Sequence, residues 1–116
     1  MAREDAFRAV AVGDIFHGEG GNGASLICLA TAVTKDTIHA RTITSQYELE
    51  FDRGTGVCEW GTSTGIIDSV AQLPNEIRRD LLSLDRRYRA GDNATLSDAE
   101  KRALIFVASF YPANPV

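Results

Sequence analysis

Between residues 24 and 61 apolar and polar positions alternate in short runs separated by polar or glycine-bearing turns, the pattern of consecutive β-hairpins. Turns at Lys35 with Asp36, Ser45 with Gln46, and Gly54 with Thr55 predict a register. Val33 then faces Ile38, Thr31 and Phe51 both face Ala40, Thr42 faces Leu49, Cys58 faces Phe51 and Trp60 faces Leu49. This register collects Ile27, Leu29, Val33, Ile38, Ala40, Leu49, Phe51, Cys58 and Trp60 on one side. The other side carries the charge, with Arg41 against Glu50 and His39 against Asp52. The middle turn is the weak joint, because a two-residue hairpin favours Asn or Gly over Ser and Gln. A turn one residue longer would turn the last two strands over. Residues 10–16 predict a further strand, with Gly13 and Asp14 at a bend or bulge.

The period changes after residue 72. Leu73, Ile77, Leu81, Leu84 and Tyr88 recur at helical spacing, Pro74 suits a first turn and Gly91 a C-cap, which predicts an amphipathic helix over 74–90. Ser97 and Glu100 have capping-box spacing, Asp98 complements the dipole, and a second helix over 98–111 should end before Pro112. Its latter half, Leu104, Ile105, Phe106, Val107, Ala108, Phe110 and Tyr111, is apolar on nearly every side and calls for burial on more than one face. Two covers are open to it. One is the space between the sheet and the first helix; the other is a second copy of the chain, a homodimer through Phe106, Phe110 and Tyr111.

A chain of 116 residues supports one hydrophobic core, so residues 1–116 read as a single domain. The fold class is α+β: a small antiparallel β-meander of five strands over about 10–68, followed by two C-terminal helices. In its strand lengths and its early Val12-Gly13-Asp14 the first half resembles SH3-like barrels. The resemblance implies a partly closed barrel and carries no function with it.

Charge divides the chain. Residues 1–72 hold ten Asp and Glu against five Lys and Arg, whereas residues 73–90 hold five Arg against three acids. An acidic sheet beside an Arg-rich helix points to internal pairing or a polar partner surface, and the net charge of −4 disfavours nucleic acid. The first eight residues mix both signs without an apolar stretch, and no apolar run reaches the length of a membrane span. The expectation is a cytoplasmic protein with no membrane association.

Candidate chemistry centres on residues 17–25. The run His17-Gly18-Glu19-Gly20-Gly21-Asn22-Gly23-Ala24-Ser25 contains GxGxxG and a near miss to the P-loop. Ala24 stands where the phosphate-reaching lysine is needed, Glu19 adds negative charge, and the following run reads as a strand instead of a helix. A mobile hairpin loop is the better reading, with His17, Gly18, Gly20 and Gly23 as candidate ligand contacts. His17, Cys28, His39 and Cys58 lack the close pairs of a zinc site, and the predicted register puts the cysteines on opposite faces, Cys28 under a helix and Cys58 inside. Neither metal, disulfide nor cofactor is expected. Ser25 or Ser63 could be combined with His17 or His39 and an acid, but no nucleophile elbow orients them. His17, bordering the glycines near Asp14 and Glu19, is the better candidate base. Arg78, Arg79, Arg86, Arg87 and Arg89 flank the apolar stripe of the first helix and could grip an acidic partner or a phosphate backbone. Glu76, Asp80 and Asp85 dilute them towards an ordinary solvated face.

The leading functional expectation is an interaction module without catalytic activity, acting through protein contacts and dimerisation. The alternative is a small-molecule or nucleotide-binding protein, or an enzyme, using residues 18–23 with His17 and Asp14. Nucleic-acid binding through the Arg-rich helix ranks third.

Overall fold

A computed structural model describes residues 3–116, with the side chain of Trp60 outside the description. The expected inward side chain of Trp60 therefore lies outside what is described. The elements are α1 (Arg3–Arg8), β1 (Ile15–Gly20), β2 (Ser25–Val33), β3 (Thr37–Thr42), β4 (Glu48–Asp52), β5 (Val57–Trp60), β6 (Ser63–Ser69), α2 (Asn75–Arg89) and α3 (Asp98–Ala113). All six strands pair antiparallel in sequence order, and β1 pairs with β6 to close the barrel.

Closure explains why six strands occur where five were expected. In an up-and-down meander the first and last strands run antiparallel only if the strand number is even. The sixth strand, carrying the adjacent Ile66 and Ile67, lets the sheet close completely and leaves no long edge unpaired. The first strand lies later than residues 10–16, because Gly13 adopts a φ of 92° and ends the approach before β1 begins.

Two irregularities decide which residues face inward. On the β2–β3 ladder Val33 pairs with Ile38, as expected, but Ala30 takes the place opposite Ala40 that the alternation assigned to Thr31. A bulge at residue 31 turns β2 over, since one extra residue exchanges the two faces of a strand. Leu26, Cys28 and Ala30 consequently join Ile38, Ala40, Leu49, Phe51, Cys58 and Ile67 inside the barrel. Ile27 and Leu29, expected inside, lie under the helices. The β3–β4 turn is also longer than expected. Ala40 pairs with Leu49, Ile38 with Phe51, His39 with Glu50 and Arg41 with Glu48. This displaces the predicted register by two residues, and an even displacement preserves the faces. Residues 43–47 form the connection, with Gln46 at a φ of 59°.

The second apolar layer lies between barrel and helices. Ile15, Ile27, Leu29 and Ile43 from the barrel meet Leu73, Leu81 and Leu84 of the α2 region and Ala103, Val107 and Tyr111 of α3. Each fully buried leucine here contributes about 1.5–3 kcal/mol of transfer free energy. Ser97 and Glu100 form the expected capping box at the start of α3. The helix runs past Pro112 to Ala113, beyond the expected stop. Proline in the final turn removes only one ladder bond, and Asn114 N–H still donates to the Tyr111 carbonyl at 3.0 Å.

The N-terminal helix was not anticipated. Its Phe7 is fully buried within the barrel cluster. Arg53, after β4, holds the end of that helix by donating to the carbonyls of Phe7, Arg8 and Val10, and to that of Thr34. One guanidinium thus satisfies carbonyls that a helix terminus otherwise leaves to water.

Candidate functional site

His17 emerges from β1 on the outside of the barrel, beneath α3. Its Nδ1 lies 2.6 Å from Asp68 Oδ1 and its Nε2 lies 2.6 Å from Ser25 Oγ. The Tyr111 ring stacks on the imidazole at 5.2 Å between centroids and 30° between planes. Asp68 reaches His17 because of a second bulge. His17 pairs with Ser69 and Gly18 with Ile67, so Asp68 is the extra residue on β6. Ser25 arrives from the next strand, opposite Glu19. Beside an acceptor carboxylate the neutral imidazole carries its proton on Nδ1, and in that tautomer Nε2 accepts from the Ser25 hydroxyl. The histidine side chain is 13% exposed, and Ser25 is open to solvent.

His17 and Ser25 were legible as candidates, but the acid was misjudged. Asp14 instead caps its own turn, accepting from Ala11 N–H at 2.9 Å. Asp68 is 51 residues away from His17 in sequence, and only barrel closure brings them together.

The glycines divide. Gly18 and Gly20 are strand residues of β1, not loop residues. A Cβ on Gly18 would lie 3.1 Å from the Ile66 carbonyl oxygen. Gly23, at a φ of 83°, is the turn residue. Four amides of the run are already engaged. Gly20 N–H donates to Ala24 O, Gly21 to Thr64 O, Gly23 to Gly20 O and Ala24 to Asn22 Oδ1. The turn is tied to β6 through the Gly21 bond to Thr64.

The arginines of α2 also divide. Arg78 donates to the Gly13 carbonyl at 2.7 Å, and Arg87 binds Glu100, Asp92 and the Ala94 carbonyl, joining α2 to α3. Arg79 is exposed beside Asp80, and Arg86 and Arg89 are exposed. Two of the five are thus structural ties, which breaks up the continuous cationic surface a phosphate backbone requires. On α3, Phe106 and Phe110 stack on each other at 5.2 Å, half-buried against the helical layer. Tyr111 is 1% exposed, so it offers a partner no surface. Ile105, 72% exposed, is the large apolar residue α3 does present.

Both cysteines face the barrel interior as free thiols, correcting the expected outer position of Cys28. Burial pushes both thiols above their ordinary range, with Cys58 and Asp68 adding to the effect on Cys28. Thiolates are the reactive species, so the folded protein should give almost no colour with Ellman's reagent, and both thiols should titrate once denaturant unfolds it. Prompt reaction of the native chain would contradict this packing. His17 and His39 point outward from the barrel, where each contacts a carboxylate.

On the wall formed by β3, β4 and β5 the exposed side chains are predominantly acidic. Glu48, Glu50 and Asp52 of β4 and Glu59 of β5 face solvent. His39 Nδ1 lies 3.3 Å from Glu50. Arg41, across the ladder from Glu48, turns its guanidinium to α2 and forms a two-point bond with Asp85 at 3.0 and 2.7 Å. Two shallow grooves, of about 520 and 450 Å³, cross the wall and share Glu50 and Glu59.

Among the described residues no helix is long and apolar enough to cross a membrane. Comparison with family models, curated proteins and solved structures finds no match to this chain.

Proposed function

We propose that this chain is a protein-interaction module whose β3–β4–β5 wall docks a basic segment of another protein. The observation that carries the reading is the two-point bond of Arg41 with Asp85, which draws its guanidinium to α2 although it sits across from Glu48, and leaves Glu50 and Glu59 in the grooves with only His39, against Glu50, as a basic contact. Like charges on neighbouring strands cost stability, roughly 0.2–1 kcal/mol for each direct pair, and a cationic ligand relieves that cost. The two grooves supply a continuous path across the strands, and their shared Glu50 and Glu59 are the natural anchors.

The test uses the full chain and a fluorescent Lys/Arg-rich peptide, with anisotropy read across a salt series. Binding should weaken as salt rises, and the paired reversal Glu50→Lys with Glu59→Lys should lower affinity at least about tenfold at low salt. Light scattering in the same buffer should return the 12.6 kDa monomer mass. A dimer that dissociates in salt would instead make a second copy, presenting Arg79, Arg86 and Arg89, the occupant of the wall. Affinity unchanged by the double reversal would remove the acidic wall from the interaction.

A further inference from the structure

Ser25, His17 and Asp68 form a hydrogen-bonded line in the order nucleophile, base and orienting acid, on a surface separate from the acidic wall. We propose that Ser25 is an activated nucleophile that accepts the acyl group of a small ester and passes it to water. Three features support this assignment. Asp68 fixes the His17 tautomer, so the Nε2 lone pair is aimed at the serine hydroxyl. Tyr111, buried and stacked on the imidazole, holds the ring plane; burial also raises the pKa of its phenol, which keeps that ring neutral. Ser25 itself remains open to a reactant.

The proton and bond changes balance without a further cofactor. Ser25 Oγ attacks the ester carbonyl carbon while its proton passes to His17 Nε2, and Asp68 stabilises the imidazolium. Collapse of the tetrahedral adduct breaks the bond to the leaving oxygen, which takes the proton from His17 and departs as an alcohol. Water then attacks the acyl-serine, gives a proton to His17 and releases a carboxylic acid, and the proton returns to Ser25.

The surroundings define the substrate class. The amides of Gly20, Gly21, Gly23 and Ala24 donate within the protein, so this turn provides no ready set of oxyanion donors. Removing one such donor from an established site costs about 100- to 1000-fold, which restricts this serine to esters with good leaving groups and excludes amides. Glu19, exposed and directly across from Ser25, repels anions. The acyl donor is therefore a small, neutral or cationic, activated ester.

The probes are a neutral alkyl fluorophosphonate and p-nitrophenyl acetate, applied to the folded full chain. In the first, Oγ–P forms, P–F breaks and fluoride leaves. Peptide mapping should place the adduct on Ser25, and Ser25→Ala should remove it. His17→Gln should slow labelling and nitrophenolate release about 100-fold. Since His17 packs beneath Tyr111, the partly exposed Asp68→Asn provides a second variant. It should slow both readouts at least about tenfold while thermal unfolding confirms the fold. Labelling no faster than in the urea-unfolded chain, an adduct on another residue, or rates unchanged in folded Asp68→Asn would overturn the assignment.

Discussion

Asp85→Ala is expected to lower the unfolding free energy by about 3 kcal/mol, the low end of the cost of breaking a buried ion pair. Asp85 is 3% exposed and accepts from Arg41 Nε and Nη2 and from Gln46 Nε2 at 2.9 Å, so the change removes both bonds of the Arg41 guanidinium and leaves the Gln46 amide only its bond to the Ile43 carbonyl. The bond joins β3 and the 43–47 connection to α2. Asp85→Asn should lose less, because one amide oxygen still accepts. Burial tends to raise the Asp85 pKa, but the hydrogen bonds from Arg41 and Gln46 outweigh it and hold the carboxyl below the ordinary 3.8. A depressed carboxylate stabilises the fold above its unfolded-state value and loses that contribution as pH falls through its folded value. Urea unfolding at neutral pH and again below about pH 4 should show the difference between wild type and Asp85→Asn shrinking in acid. Equal differences at both pH values would mean that the ion pair contributes nothing.

Phe7→Ala should cost about as much, roughly 3–5 kcal/mol for a fully buried aromatic. Its ring fills the barrel against Gly56, where an added Cβ would lie 2.6 Å from Phe7 Cζ at a φ of 76°. Gly56→Ala is therefore expected to destabilise by about 2 kcal/mol or more, from a left-handed backbone and a ring with no room to move. In the double variant the steric part disappears and the backbone part remains. The two losses should then sum to more than the double variant's loss, by about 1 kcal/mol in a denaturant-melt cycle. Additive losses would place the ring elsewhere. Domain stabilities commonly lie between about 5 and 15 kcal/mol, so either single change consumes a large share.

The elements that local chemistry governs were legible in advance. A 3.6-residue stripe with a proline start defines α2 within a residue at each end, and the Ser97–Glu100 box starts α3 where it stands. Strand β4 kept its predicted face because its register moved by two residues, so Leu49 and Phe51 point inward under either turn. The short α1 escaped notice because six residues offer too little periodicity, and one phenylalanine inside a barrel leaves no stripe.

By itself, the sequence determined the alternation of hairpins, the two later helices and the sign of the wall, because these follow from turn chemistry and from neighbours along the chain. Tertiary structure alone decided the inner face of β2, the closing strand and the acid beside His17. Each depends on a single residue too many at Thr31 or Asp68, or on strands more than forty residues apart. A bulge is selected by the fit of both ladders around the closed barrel, and no window of sequence contains that constraint.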